Sequence, residues 1–153
     1  METLRNSWRV RDKRSLLLAM VEDLAGNAHI SFEGNLRGLP MWNMAGISKE
    51  PTTVLKRNTL WPEQDFVVMA LEPHMSKTII SAIGGTLSGT IIHIQIEKEG
   101  ILQFGAYDNF YPSCLFFGNA VSPKMIESLI RQGILKPYVE APRRTLRNGK
   151  ASK

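Results

Sequence analysis

The chain has 153 residues, of which 43% are apolar and 22% charged. This composition indicates one globular domain with its own core and excludes a disordered chain. The single cysteine, Cys114, excludes an intramolecular disulfide and a cysteine-based zinc site, and it favours a cytoplasmic protein. The sequence shows no signal peptide and no apolar run of the roughly 18 residues that a membrane span needs, so no membrane contact is expected.

The net charge of +5 is concentrated at the two ends of the chain. Residues 1–140 contain equal numbers of basic and acidic side chains, with a basic cluster at residues 5–14, whereas residues 141–153 contain five basic residues and no acid. We therefore predict one compact domain over residues 1–140 and a basic, disordered tail over residues 141–153.

The first predicted elements are a helix over residues 12–25 and a strand over residues 28–33. Apolar side chains recur at helical spacing from Leu16 to Leu24, Asp12 or Ser7 can cap the start, and Gly26 ends the helix. The stretch "AHISFEG" alternates between apolar and polar residues, which predicts a strand that is half-buried.

Residues 34–63 are rich in proline and tryptophan and carry no clear periodicity. Thirty residues of loop are unusual in a compact domain, so we expect a short helix at about 50–57, capped by Ser48, or a short strand near 39–44. Trp42 and Trp61 have two interpretations. They close over the core, or they anchor a partner.

The remaining elements have clear sequence patterns. Residues 65–72 are apolar on both faces, which predicts a central strand, and Pro73 starts a helix that ends before Gly84. A hairpin follows at residues 90–107, then a short strand at "CLFFG" and a helix from Ser122 to Gly133. This order predicts an α+β fold, with a mainly antiparallel sheet of about 4–5 strands and about three helices packed on it.

Candidate chemistry is concentrated between His93 and Cys114. Cys114 lacks a motif that places a base beside it, so a nucleophilic role is disfavoured. His93 and Glu97 share one strand face about 13 Å apart, too far for one metal ion. The glycines of "GGTLSGT" lack the Lys-Ser/Thr of a phosphate loop. We predict no catalytic residue, no metal and no cofactor, and the general character is that of small bacterial or phage proteins that act by binding.

Three hypotheses about function remain. The first is a protein-binding module, an inhibitor or immunity-type protein that occludes a basic partner such as a toxin or nuclease. Its acidic and aromatic surface would comprise Trp42, Trp61, His93, Glu97, Glu99, Tyr107, Asp108 and Tyr111, with the hairpin face and Glu33 exposed to solvent. The second is a small hydrolase with a polar cleft around His93, Glu97, Asp108 and Tyr111. The third is a nucleic-acid binder that uses the basic termini.

Overall fold

The computed structural model describes residues 7–138, and the predicted tail of residues 141–153 lies outside this range. The described chain contains three α-helices, seven β-strands and two short 3-10 turns, Pro40–Asn43 and Pro112–Cys114. In chain order the helices and strands are β1 (Ser7–Val10), α1 (Lys13–Leu24), β2 (Ala28–Gly34), β3 (Asp65–Leu71), α2 (Ser76–Ala82), β4 (Ile91–Lys98), β5 (Ile101–Ala106), β6 (Leu115–Phe117), α3 (Pro123–Arg131) and β7 (Leu135–Tyr138).

Five of the strands form an antiparallel sheet in the order β3-β2-β4-β5-β6. The predicted α+β fold, with its antiparallel sheet, three helices and hairpin at 90–107, is confirmed. β3 lies at the edge of the sheet, so its predicted central position is wrong. Its apolar residues on both faces are nevertheless buried, because another segment of the chain covers the outside of the sheet.

β1 and β7 form a separate two-stranded antiparallel sheet that the sequence analysis does not predict. β1 lies within the basic cluster, and β7 contains Pro137, so neither has the alternation of a typical strand. Their pairing joins the two ends of the described chain. No local pattern predicts a contact over such a sequence separation.

The inner face of the five-stranded sheet packs against the helices. α1 buries Leu16, Leu17, Met20, Val21 and Leu24, the residues that its periodicity predicts. They share one core with the inward side chains of β2, β3, β4 and β5, which include Phe32 and Phe104. α2 is shorter than predicted, because His74 has a φ of 67° and holds residues 73–75 outside the helix.

The outer face of the sheet is covered by residues 48–64, which we call the covering segment. Its Leu55 is buried and packs on Phe66 and Val68 of β3. The segment does not form the predicted helix at 50–57. The strand predicted near 39–44 is absent too, and a 3-10 turn is found there. The Thr52 N–H donates to the carbonyl of Leu55, three residues later, and Oγ1 of Thr52 accepts from the N–H groups of Val54 and Leu55, so the chain forms a turn here and not a helix, in which each N–H donates to an earlier carbonyl.

The β4–β5 hairpin closes through a two-residue turn. Glu99 and Gly100 have φ values of 53° and 84°, the positive values that such a turn requires. A bulge in the β4–β5 pairing places Leu102 opposite Glu97 and Phe104 opposite Ile96. Leu102 therefore packs with the outer cluster and not beside Phe104 and Ala106, as strict alternation predicts.

Lys98 connects the end of β4 to the end of α1. Its Nζ donates to the backbone carbonyls of Leu24, Ala25 and Gly26 at 3.1, 2.9 and 2.8 Å. The last carbonyls of a helix lack partners within the helix, and a cation there also complements the helix dipole. One side chain thus closes the helix and fixes it to the sheet.

Replacing Lys98 with methionine removes these donors and keeps the length of the side chain. We expect Lys98→Met to lower the free energy of unfolding by about 2–3 kcal/mol, since hydrogen bonds to charged groups are lost together. Urea denaturation measures this loss. Lys77→Met, at an exposed position of α2, is the control and should change the free energy by less than about 0.5 kcal/mol. Equal effects in the two variants would contradict the capping role.

Among residues 7–138, no helix combines the length and the apolar character that are required to cross a membrane.

Candidate functional site

A row of polar side chains lies buried between the outer face of the sheet and the covering segment. It contains Ser31 and Glu33 of β2 and His93 and Gln95 of β4, all of them at most 4% exposed. The prediction that Glu33 and the hairpin face are exposed to solvent is therefore wrong for Glu33, His93, Gln95 and Glu97, whereas Glu99 at the hairpin turn is exposed. β2 lies between β3 and β4, and the covering segment excludes water from these positions. Buried polar groups need hydrogen-bond partners, and the covering segment supplies many of them.

Glu33 holds the covering segment through its carboxylate. One oxygen accepts from the backbone N–H of Asn58 at 2.8 Å, and the other accepts from the N–H of Thr59 at 3.1 Å. Glu33 is only 1% exposed. Burial of a carboxylate is costly without strong donors, so these two backbone groups are a necessary part of the arrangement.

His93 lies beside Glu33 in the β2–β4 pairing and makes the next attachment. Its Nδ1 accepts from the backbone N–H of Asp108 at 3.2 Å, and its Nε2 lies 2.8 Å from Oγ1 of Thr59. A ring nitrogen that accepts carries no proton, so the neutral ring has its proton on Nε2 and donates to Thr59. His93 thereby connects the covering segment to the loop after β5.

Gln95 extends the network towards Tyr107. Its amide nitrogen donates to Oγ of Ser31 at 3.2 Å and to the carbonyl of Lys56 at 2.9 Å, and its oxygen accepts from the Tyr107 hydroxyl at 3.2 Å. Burial raises the pKa of Tyr107, so the hydroxyl remains a donor at neutral pH. The tyrosine ring lies across Gly105, where an added Cβ would come within 2.5 Å of it.

Glu97 lies at the other end of the outer face and contacts His29 of β2. Its carboxylate accepts from Nδ1 of His29 and from the backbone N–H of Gly100. The side chain of His29 is 50% exposed, whereas that of Glu97 is 9% exposed. Both residues line an open cavity of about 430 Å³, together with Thr52, Thr53 and Glu99. A buried carboxylate therefore orients a histidine at the edge of a cavity.

The loop after β5 adopts a left-handed turn. Asp108, Asn109 and Phe110 have φ values of 53°, 56° and 64°, each of which costs an L-residue about 1–2 kcal/mol. Aspartate and asparagine tolerate this conformation better than other L-residues, which suits them to the first two positions. Contacts with β4 hold it in place: the N–H groups of Asp108 and Asn109 donate to His93 and to the carbonyl of Ile92, and Phe110 is buried.

Cys114 is the last residue of the second 3-10 turn and lies just before β6. The sequence predicts it as the first residue of that strand, which is wrong by one position. Its Sγ lies 3.7 Å from Oδ2 of Asp108. Desolvation raises the pKa of the Cys114 thiol, and the negative charge and hydrogen bonding of Asp108 raise it further, against a weaker opposite effect of Ser113. The thiol is therefore protonated at neutral pH, which makes it a poor nucleophile.

Replacing Asp108 with asparagine tests whether Asp108 raises the pKa of the Cys114 thiol. Asparagine tolerates the left-handed conformation, so Asp108→Asn should keep the turn and remove the negative charge. Because the pKa of Cys114 then falls, its thiolate forms at lower pH, and we expect alkylation by iodoacetamide at pH 7 to be about threefold faster. The alkylation rate is measured against pH. If the alkylation rate of the variant depends on pH in the same way as that of the original protein, the contact between Cys114 and Asp108 is contradicted.

Four large apolar side chains lie exposed near one end of the outer face, and we call them the apolar rim. Leu60 is 89% and Trp61 86% exposed, and Tyr111 and Phe116 are also exposed. They are related through their neighbours and not by direct contacts. Thr59, next to Leu60, is hydrogen-bonded to His93, and the His93 ring lies 5.7 Å from that of Tyr107. The Tyr107 carbonyl accepts from the N–H of Tyr111, and the Tyr107 ring covers Gly105, the cross-strand partner of Phe116. Such exposure of large apolar groups is typical of a binding surface.

The predicted site residues thus fall into separate groups. Trp61 and Tyr111 belong to the apolar rim. The exposed Asp108 lies near it, and Tyr107 is half-buried beneath it. His93 is buried, and Glu97 belongs to the cavity with Glu99. Trp42 packs against the core with the cations of Arg37 and Lys49 near its ring, so its environment differs from that of Trp61. The predicted cleft around His93, Glu97, Asp108 and Tyr111 does not form, because His93 is covered and Glu97 faces His29.

The site residues predicted from the sequence do not include Leu60, Phe116 or the His29–Glu97 pair. A signal for Leu60 exists, since Leu60 and Trp61 interrupt a polar run between Lys56 and Gln64. The pairing of His29 with Glu97 depends on the register of β2 and β4, which the sequence does not reveal.

Within residues 7–138, no three histidine, cysteine, aspartate or glutamate side chains lie close enough to hold a metal ion. Comparison of the chain with protein-family models, with curated proteins and with solved structures gives no match.

Proposed function

We propose that this protein is a protein-binding module, an inhibitor or immunity-type protein that occludes a macromolecular partner with its apolar rim. The observation that carries the proposal is the position of Leu60 and Trp61. They follow directly on Asn58 and Thr59, whose backbones are fixed by the buried carboxylate of Glu33. A segment fixed in this way loses little conformational freedom on binding, which favours affinity.

The chemistry of the rim suits this role. Tryptophan and tyrosine are the residues most often found at the energetic centres of protein interfaces. The carboxylates of Glu63 and Asp108 are exposed close to Trp61 and Tyr111 in the chain. We therefore propose a partner with an apolar pocket and a basic surround, such as a toxin or nuclease, with the charges aiding recognition. The single free cysteine, Cys114, fits a reducing compartment, so we place this interaction in the cytoplasm.

Photo-crosslinking tests the proposal directly. A photoreactive p-benzoylphenylalanine replaces Trp61 in one variant and Ile101 in a control, and each is irradiated in nuclease-treated lysate of the native host. Ile101 is 60% exposed but lies at the opposite end of β5 from the rim. We expect one protein to be crosslinked from position 61 and not from position 101. The same products from both positions, or none from either, would contradict the proposal.

A second candidate function is acid–base catalysis at the His29–Glu97 pair. Glu97 accepts from Nδ1 of His29, which leaves Nε2 as the atom that can take or give a proton at the 430 Å³ cavity. This arrangement replaces the cleft that the sequence predicts. Hydrolysis of a nitrophenyl ester is the assay, and His29→Gln is compared with His74→Gln, a second exposed histidine. Catalysis lost only in His29→Gln favours this candidate, and equal rates in both variants contradict it.

A further inference from the structure

The small β1–β7 sheet presents a basic face. Its inward residues Trp8, Val10 and Leu135 pack against the core. Because side chains alternate along a strand, Arg9 and Lys136 point away from that core, and both are exposed. The register places them directly opposite each other as cross-strand partners. The guanidinium of Arg9 also lies 4.8 Å from the centre of the Tyr138 ring.

Like charges in directly opposed positions destabilise a strand pair. Neither Arg9 nor Lys136 forms a salt bridge with a carboxylate of residues 7–138. Within the described part of the chain, the contact of Arg9 with the Tyr138 ring offsets part of this repulsion, and no carboxylate pairs with either cation. An anion that lies between the two side chains would relieve the remaining repulsion.

One further cation, Arg11, lies beside this pair, and two more follow Arg11 in the chain. Arg11 lines an open cavity of about 420 Å³ together with Lys136, and its backbone N–H donates to the carbonyl of Ile134. Lys13 and Arg14 follow at the start of α1 and are exposed. The acidic residue between Arg11 and Lys13, Asp12, caps α1, where its carboxylate accepts from the N–H and the hydroxyl of Ser15.

We propose that the β1–β7 face is a binding surface for the phosphate backbone of a nucleic acid. The strand pairing brings the basic cluster near the start of the chain against the strand that precedes Arg143, Arg144 and Arg147 in sequence. Positive charges spread over a surface in this way suit a repeating polyanion, because each phosphate neutralised releases a counterion. The proposal is independent of the apolar rim and names a second partner of different chemistry.

The test is fluorescence anisotropy with a labelled duplex oligonucleotide at salt concentrations from about 50 to 200 mM. The full chain is compared with the double variant Arg9→Gln/Lys136→Gln. Loss of two phosphate contacts should reduce the slope of log affinity against log salt by about 1.8, and should weaken binding about 10- to 100-fold. Lys56→Gln/Lys77→Gln removes the same charge at exposed positions outside this face and should leave the slope unchanged.

Three results would overturn the proposal. One is that the original protein does not bind the oligonucleotide at the lowest salt. Another is that the slope falls for Arg143→Gln/Arg144→Gln/Arg147→Gln but not for the Arg9 and Lys136 variant. The third is that polyglutamate of equal charge displaces the oligonucleotide at equal concentration, which would indicate an acidic protein as partner. Unchanged circular dichroism of each variant establishes that a weaker affinity does not reflect unfolding.

Discussion

Replacing Glu33 with alanine should lower the free energy of unfolding by about 3–5 kcal/mol. The substitution removes the acceptor of two backbone N–H groups, those of Asn58 and Thr59, and a buried donor without an acceptor costs about 1–3 kcal/mol. It also leaves a cavity beneath the covering segment. Urea denaturation measures the loss, and limited proteolysis should show cleavage within residues 48–64 that the original protein resists.

Glu33→Gln is the matched variant, because it keeps the size of the side chain and one acceptor oxygen. It should lose less than Glu33→Ala, about 1–3 kcal/mol, since one of the two donors remains bonded. Asp108→Asn, at an exposed carboxylate, provides a control for loss of a negative charge. A stability of Glu33→Ala within 1 kcal/mol of the original would mean that the carboxylate does not hold the segment.

Replacing Trp61 with alanine should abolish partner binding and leave the fold intact. The ring is 86% exposed, so its removal should change the free energy of unfolding by less than about 0.5 kcal/mol. If Trp61 is an interface anchor, its loss costs about 2–4 kcal/mol of binding energy, which weakens the affinity roughly 30- to 1,000-fold. Quantitative capture of the partner from lysate, followed by titration with the purified partner, measures this change.

Ile101→Ala is the control for an exposed apolar residue outside the rim. It should retain the affinity of the original protein. Leu60→Ala should weaken binding as well, because Leu60 adjoins Trp61 and is equally open to solvent. Retained affinity in Trp61→Ala, or an equal loss in Ile101→Ala, would remove the rim from the binding surface.

Local patterns predict most of the five-stranded sheet and the three helices. The period of Leu16 to Leu24, the alternation in β4 and the capping residue Ser122 each correspond to an element that the structure contains. Errors arise where a long-range contact decides the outcome. β3 is apolar on both faces because the covering segment packs on it, and the sequence does not separate this from a central position.

The candidate site is less predictable for the same reason. An alternating polar row such as His93, Gln95 and Glu97 predicts a solvated face, and it is buried by the position of residues 48–64 together with Tyr107. The burial of Glu33 leaves no pattern in the sequence. Its hydrogen-bond donors are backbone N–H groups, which every residue except proline has, so the sequence does not reveal them. Trp61 is identified from the sequence, but its exposure depends on where the covering segment turns.

Hydrogen exchange of the backbone amides of Asn58 and Thr59, followed by NMR, tests the central claim most directly. That claim is that Glu33 fixes the covering segment on the sheet and so presents Leu60 and Trp61. Both amides donate to a buried carboxylate, so they should exchange at least about 100-fold more slowly than a freely exposed amide, and Glu33→Ala should remove this protection. Exchange at the rate of an open chain in the original protein would contradict the claim.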